Sequence, residues 1–352
     1  MSEIDVESIS EKLTIIVPTR NRCNFLLRLL QYFADQGVSN KILVADSSHD
    51  FEFSVNAKSV GSFNNTLKIV HSFDGSNFVT KCRNAVESIA TQFTVFCADD
   101  DFLMVDSAHA CVQFLMANPD YSMAMGINVS VRPEKVNHPH KAPCQSIEDE
   151  CPIRRFTKAA GRWSDTFYGV HRTVMLSRAC GIIDQATEYD RARVFPETLR
   201  SQLTVISGKV AILPNLHVLF ELHSQNEHCN SPLISVPEDT VRLYDQFANA
   251  LSAELAAAAG IPNESSRIIV DQYYGFLRNE KLSVKVQRSI FQRVSRSLHR
   301  QTLRFMDYVS SNPVPVRQYA PLNMNDRLCQ KSSWKQACEA IRNFPYGRES
   351  VP

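Results

Sequence analysis

The segment Phe93-Thr94-Val95-Phe96-Cys97-Ala98-Asp99-Asp100-Asp101 constrains this chain more than any other. Its apolar, β-branched and aromatic start reads as a buried strand, and three carboxylates follow at the strand's C-terminal end. Adjacent like charges repel, and burying any of them is costly unless something positive sits between them. A divalent cation meets that need, and hard oxygen ligands select magnesium, manganese or calcium over zinc. Ligands of open α/β sheets bind beyond the carboxyl ends of the strands, which is where this cluster falls. The competing reading is a solvated acidic turn that caps a helix beginning near Asp106.

The surrounding pattern alternates. Apolar strands are expected at 13–17, 41–45, 67–70 and 121–126, with helices at about 24–35, 79–89 and 106–116 between them. Such spacing implies βαβ units and a mostly parallel sheet flanked by helices. Residues 128–150 lack periodicity, contain Pro133, Pro139 and Pro143, and read as a loop. A helix is expected from 173 with Gly181 as its stop, another at about 197–206 ending at Gly208, and a short strand at 210–213.

From about 233 the character is helical. Ser235, Pro237 and Glu238 have the spacing of a capping box. The helix that follows carries Val241, Tyr244, Ala248, Leu251 and Leu255 on one stripe and stops at Gly260. A second helix starts near Asn263 and a third covers about 284–309. That third helix is basic, with eight Lys or Arg from Arg278 to Arg304 against one acid, Glu280. The expected organisation is therefore an N-terminal tail at 1–12 and a main domain at 13–232, with a nucleotide-binding half (13–127) and an acceptor half (128–232). A helical extension at 233–312 and a tail at 313–352 complete it.

Composition removes several classes. Lys plus Arg total 38 against 37 Asp plus Glu, which argues against a general nucleic-acid binder. No apolar run approaches the roughly 18 residues needed to span a bilayer. The polar, acidic start is unlike a secretory signal. Ten cysteines are scattered without a C-x-x-C pair, so neither a zinc site nor a thioredoxin-like motif is suggested. A reducing, cytoplasmic setting is expected, with peripheral contact at the inner face of the membrane through the basic helix near 285–304. After the first strand stands Pro18-Thr19-Arg20-Asn21, where a dinucleotide-dependent dehydrogenase needs a glycine-rich turn. No P-loop is present, and the glycine-rich, Lys-containing start of a sugar nucleotidyltransferase is missing.

Four segments share one order: Pro18-Thr19-Arg20-Asn21-Arg22 after strand one, Asp46-Ser47-Ser48 after strand two, Lys81-Cys82-Arg83-Asn84-Ala85 on a helix, and the acidic triplet. Together they resemble the GT-A glycosyltransferases, in particular the large inverting family 2. There an I-V-P-x-x-N-R start precedes a D-x-S strand end, an R-N helix and a DXD-like motif. Bacterial surface-polysaccharide enzymes with a C-A-D-D-D-F segment are the nearest look-alikes, over roughly 13–228. The resemblance implies a GT-A fold, Rossmann-like, with a C-terminal α-helical extension. It implies transfer of a sugar, with inversion, from a nucleoside-diphosphate sugar to a glycan or lipid-linked acceptor, with Mn2+ or Mg2+ as cofactor.

The same resemblance implies residue roles. Pro18, Thr19 and Arg20 would border the nucleotide, Asp46 would accept a hydrogen bond from the base, and Arg83 and Asn84 would lie near base and diphosphate. Asp99 would sit near the ribose, Asp100 would be the direct metal ligand and Asp101 second in line. His223 is the candidate for a late histidine on the metal. The family's E-D motif has its counterpart in Phe195-Pro196-Glu197-Thr198, where the second acid is Thr198 and the usual arginine is not evident. Glu197 is thus the first choice as base and Asp165, in Trp163-Ser164-Asp165, the second. Trp163 and Tyr168 are candidates to stack on a sugar face. The alternative is a degenerate, non-catalytic domain that serves as a sugar-binding or scaffold protein.

Overall fold

The computed structural model describes residues 9–141, 144–160, 166–226, 234–278 and 331–344. The second candidate base Asp165, Trp163 and the whole of the basic helix expected near 284–309 lie outside these residues.

Three apolar strands, β1 (Leu13–Thr19), β2 (Lys41–Asp46) and β3 (Lys68–Phe73), run parallel. The helices α1 (Cys23–Asp35), α2 (Asp50–Gly61) and α3 (Phe78–Glu87) link them and lead on to β4 (Phe93–Phe96), parallel to β1. In α1 the apolar residues recur every three or four positions, and Phe25, Leu26, Leu29, Leu30 and Phe33 are buried. The remaining strands are β5 (Phe102–Leu103), β6 (Tyr121–Val131), β7 (His140–Lys141), β8 (Val170–Arg172) and β9 (Lys209–Glu221). The sheet order is β3-β2-β1-β4-β8-β6-β9-β5, with β7 added on β6.

The sheet is therefore mixed rather than mostly parallel. Short β8 runs antiparallel between β4 and β6, and β5 runs antiparallel to β9. The long β9, expected only at 210–213, follows β6 in parallel with a shift of register around Pro214. A proline that donates no amide and a bulge in the ladder go together. Opposite that irregularity lies Gly126, where a Cβ would fall 2.2 Å from the Asn215 carbonyl oxygen. Only glycine allows the two backbones to approach this closely.

Helices α4 (Val105–Ala117), α5 (Pro152–Ala160), α6 (Thr173–Ala186) and α7 (Val194–Ser207) cover the sheet. α6 does not stop at Gly181. Cys180 and Ile183 stay on its buried side, and the glycine faces open space. An interior glycine costs a helix only about 1 kcal/mol, less than this packing returns. With α8 (Thr240–Ala259) and α9 (Asn263–Tyr274), helices α5–α7 form a second apolar core around Phe156, Phe195, Leu199, Tyr244 and Phe247. Val241 of the expected stripe is exposed; Leu243 and Phe247 are buried in its place. Gly260 ends α8 with φ +66°, the left-handed cap that glycine favours. Ser235 does not cap α8: its hydroxyl donates to the carbonyls of Asp190 and Arg191, and α8 starts at Thr240.

The chain then returns to the sheet. Where a tail was expected, α10 (Ser332–Arg342) buries Trp334, Ala337, Cys338 and Ile341 in the same core as β1 and α1. No helix among the described residues is long and apolar enough to cross a membrane.

Candidate active site

Parallel pairing of β1 with both β2 and β4 brings three polar strand ends to one edge. Beyond β1 the chain turns through Asn21, whose φ of +53° is a left-handed conformation that asparagine tolerates. Its amide donates to Ser48 Oγ (2.7 Å), and its Oδ1 accepts from the amide of His49 (2.9 Å). This turn aims Arg22 back at the loop after β4.

There the acidic triplet is buried, and Arg22 lies between two of its members. Its Nη1 is 2.9 Å from Asp99 Oδ1, and its Nη2 is 2.6 Å from Asp100 Oδ2. Asp99 Oδ2 also accepts the hydroxyl of Thr19 (2.7 Å). Burial and the neighbouring Asp100 push the Asp99 carboxyl up to about 6, against the pull of Arg22 and Thr19. Asp100 moves the other way. Burial disfavours its charge, but hydrogen bonds from His223 and Arg22 and the guanidinium charge hold it well below the ordinary carboxylate range. Its Oδ2 lies 3.0 Å from the Asn226 amide nitrogen and 3.2 Å from His223 Nε2.

Both carboxylate oxygens of Asp101 have partners within the fold. Its Oδ2 accepts the hydroxyl of Tyr168, and its Oδ1 accepts the amide of Glu221 (2.9 Å). Both oxygens are thus tied to β9 and to the loop before β8. Burial and the Asp100 charge push its carboxyl well above the ordinary range. Tyr168 is correspondingly a packing residue: it is buried, and its ring meets Phe220 edge-on. Its expected role on a sugar face is not supported.

Asp46, at the end of β2, differs from expectation in the same manner. Its Oδ1 accepts the amide of Ser48 (2.8 Å), and its Oδ2 accepts from Asn56 Nδ2 (2.8 Å) and lies 3.0 Å from His71 Nε2. Burial opposes its charge, yet these partners keep the carboxyl below its usual value. Asp46 is fully buried, and with this set of partners it closes the turn after β2.

Arg83 also points elsewhere. Its guanidinium pairs with Asp184 of α6, and the amide of its neighbour Asn84 donates to Asp74 Oδ2 (2.8 Å). The cation that α3 delivers to the strand ends is Lys81, whose Nζ donates to the Thr19 carbonyl and to Ser47 Oγ, both at 2.8 Å. Lys81 is buried, and among the described residues no carboxylate lies within ion-pair distance of it. Burial lowers its pKa, partly offset by Asp99 and Asp46. Pro18 and Thr19 are buried at the end of β1, and Arg20 is exposed beside them.

Glu197 occupies the first turn of α7, within 3.2 Å of Arg193. It borders a small apolar cavity with Phe78, Cys82, Phe96, Tyr189 and Arg200. Phe96 ends β4, so this cavity lies against the base of the acidic loop, and Phe96 stacks on Phe167 at 5.0 Å.

Four further residues complete the acidic site: Phe25, Arg28, Glu221 and Asn226. Arg28 Nη2 donates to the Asp100 carbonyl (3.0 Å) and pairs with Glu221 Oε2 (2.8 Å). Phe25 stacks on the His223 ring at 4.9 Å. Arg22 immediately precedes α1 and Arg28 lies within it, and Glu221 and Asn226 flank His223. Polar residues at the end of an apolar strand were the available signal.

Among the described residues no three His, Cys, Asp or Glu side chains converge as a ready metal cage. Asp100 and His223 do meet. Their 3.2 Å separation suits two neighbouring ligands of one ion at bond lengths of about 2.1 Å. Magnesium-type ions are bound by one or two carboxylates together with substrate phosphates, a role that Asp100 fits.

No family model and no curated protein matches the chain. Solved structures do. Residues 1–349 of S. aureus TarS, a GT-A-like glycosyltransferase, in complex with UDP-GlcNAc match with a TM-score of 0.55 and 16% identity, over 94% of this chain and 89% of that one. A second structure of TarS 1–349 matches with a TM-score of 0.52 and 12% identity, over 90% and 97%. A longer TarS structure is covered over only 44% of its length, so the chain spans less than half of that protein. The chain has the GT-A fold of the glycosyltransferases, with a helical extension at its C-terminal end.

Proposed function

We propose that the chain is a metal-dependent glycosyltransferase that moves a sugar from a nucleoside diphosphate to a glycan or lipid-linked acceptor. The observation that carries this reading is the meeting of Asp100, held ionised, with His223 at the edge where β1, β2 and β4 end. Such an edge is where open α/β sheets bind nucleotides. A divalent cation held by Asp100 and His223 would neutralise charge on the departing nucleoside diphosphate. Lys81 adds a buried positive charge next to Thr19 and Ser47, where an anionic or carbonyl oxygen of the donor would satisfy its remaining N–H. Arg22 would exchange its carboxylate partner for a phosphate oxygen, a bidentate geometry that guanidinium groups favour. Glu197 would take the proton of the acceptor hydroxyl. Inversion and a place in bacterial surface-polysaccharide synthesis follow from the family resemblance. A cytoplasmic protein, touching the membrane through its basic segment, is consistent with that role.

One observation favours a non-catalytic, sugar-binding reading instead: Arg22 already compensates Asp99 and Asp100 without any ion. Turnover decides. UDP-GlcNAc, which TarS binds, is the first donor to test, with other nucleotide sugars beside it and manganese present. Release of nucleoside diphosphate, lost in Glu197→Gln while donor binding remains, supports the transferase. Donor binding without turnover by the wild-type chain supports the scaffold.

A further inference from the structure

The acidic site is roofed by residues from the far end of the chain. Phe344, two residues beyond α10, lies with its ring 4.3 Å from the guanidinium carbon of Arg28 and 4.7 Å from the ring of Phe25. Those are the two α1 residues on which the site leans. Arg28 joins Glu221 to the Asp100 carbonyl, and Phe25 stacks on the His223 ring with an interplanar angle of 18°. Arg28 is enclosed by three rings, because Phe102 and Phe25 also stand 4.9 and 5.1 Å from its guanidinium carbon. The segment is fixed at both ends of the helix. Trp334 is buried in the sheet core, and Arg342 Nη2 donates to Asn137 Oδ1 (2.7 Å).

We infer that α10 and Phe344 form a clasp that positions the candidate metal ligands, with Phe344 acting through Phe25 on His223 and through Arg28 on Asp100. The physical reason is the pair beneath it. Arg28 and Glu221 are both buried, and such a pair holds its geometry only where water is kept out and the guanidinium faces are covered. Phe344 supplies that cover. Phe25, pressed from one side by Phe344, keeps the imidazole in the plane that turns Nε2 toward Asp100. The roles of Asp100 and His223 rest on the donor-site reading above; the positioning itself does not.

The test uses the full chain and two readouts. The first is the imidazole resonance of His223, assigned by comparison with His223→Gln and recorded without metal or nucleotide. The second is calorimetric binding of UDP with manganese. Phe344→Leu keeps apolar volume while removing the ring, and is chosen because Phe344→Ala risks loosening α10. It is expected to shift the His223 resonance and weaken UDP–manganese binding about five- to tenfold, the scale of a partly buried cation–π contact. Phe344→Tyr restores the ring and should return both readouts to wild type. An unmoved His223 resonance in Phe344→Leu overturns the clasp, whether or not any nucleotide binds. A shifted resonance in a chain whose wild type binds no nucleotide leaves the clasp standing and removes the donor site.

Discussion

Asp46 closes β2 and Asp100 follows β4, the two parallel strands that flank β1, yet their surroundings make them different groups. Asp46 is surrounded by a backbone amide, an asparagine and a histidine that belong to its own corner of the fold. Asp100 is contacted through a single oxygen by an arginine from the turn after β1 and by a histidine and an asparagine from the loop after β9. The first set gives both oxygens of Asp46 a partner. The second concentrates three side chains on one charged atom. Position in the topology brings an acid to the edge where the strands end; its partners decide how it is held there.

Replacing each acid separates the two kinds of site most sharply. Asp100→Asn should lower sugar transfer about 10²–10³-fold, the scale of losing one charge-stabilising group. Its melting temperature should stay near wild type, because losing the Arg22 contact is offset by relief of repulsion on Asp99 and Asp101. Asp46→Ala should do the reverse. It strands the Asn56 amide and the His71 ring, lowering stability by about 2–3 kcal/mol as read from the urea midpoint. Where the variant remains folded, nucleotide affinity should be unchanged. A large loss of affinity at full stability would return Asp46 to the nucleobase and dissolve the contrast.

Acid probes the packing beneath the acidic loop. His171 bonds the Thr166 carbonyl and His217 the Tyr168 carbonyl, and burial holds both near pKa 4. The folded values lie below the ordinary 6.5, so their contribution is complete above that pH and lost as the pH falls through 4. Chemical denaturation should show stability falling between these limits, by up to about 3 kcal/mol for each histidine, and less in His217→Gln. The smallest effect belongs to Arg83→Ala. Its half-exposed pair with Asp184 predicts a stability change within about 1 kcal/mol and unaltered nucleotide binding. A tenfold loss of affinity there would move Arg83 from α6 back to the donor.

Much of this was legible in the residues. Apolar runs closed by polar ones located β1, β2 and β4, and the triplet with His223 located the acidic site. Partner choice was not legible, because it depends on side chains brought together from remote segments. Arg83 and Lys81 are two residues apart on α3, and only the rotation of the helix sends Lys81 to the strand ends and Arg83 to Asp184. Asp101 reads like its neighbours in sequence, but the strand pairing of β5 with β9 turns it inward onto Glu221 and Tyr168. α10 showed apolar residues at Trp334, Ala337, Cys338 and Ile341, a helical spacing that a basic, polar context obscured.

The most direct test compares thermal melting of wild type and Asp100→Asn with nucleoside diphosphates, each with and without manganese. Saturating ligand at about 100 times its dissociation constant adds roughly 2.7 kcal/mol, a shift of a few degrees. The account predicts a manganese-dependent rise with one nucleotide in the wild type and none in Asp100→Asn. An equal rise in both, or none in the wild type with any nucleotide, would contradict it.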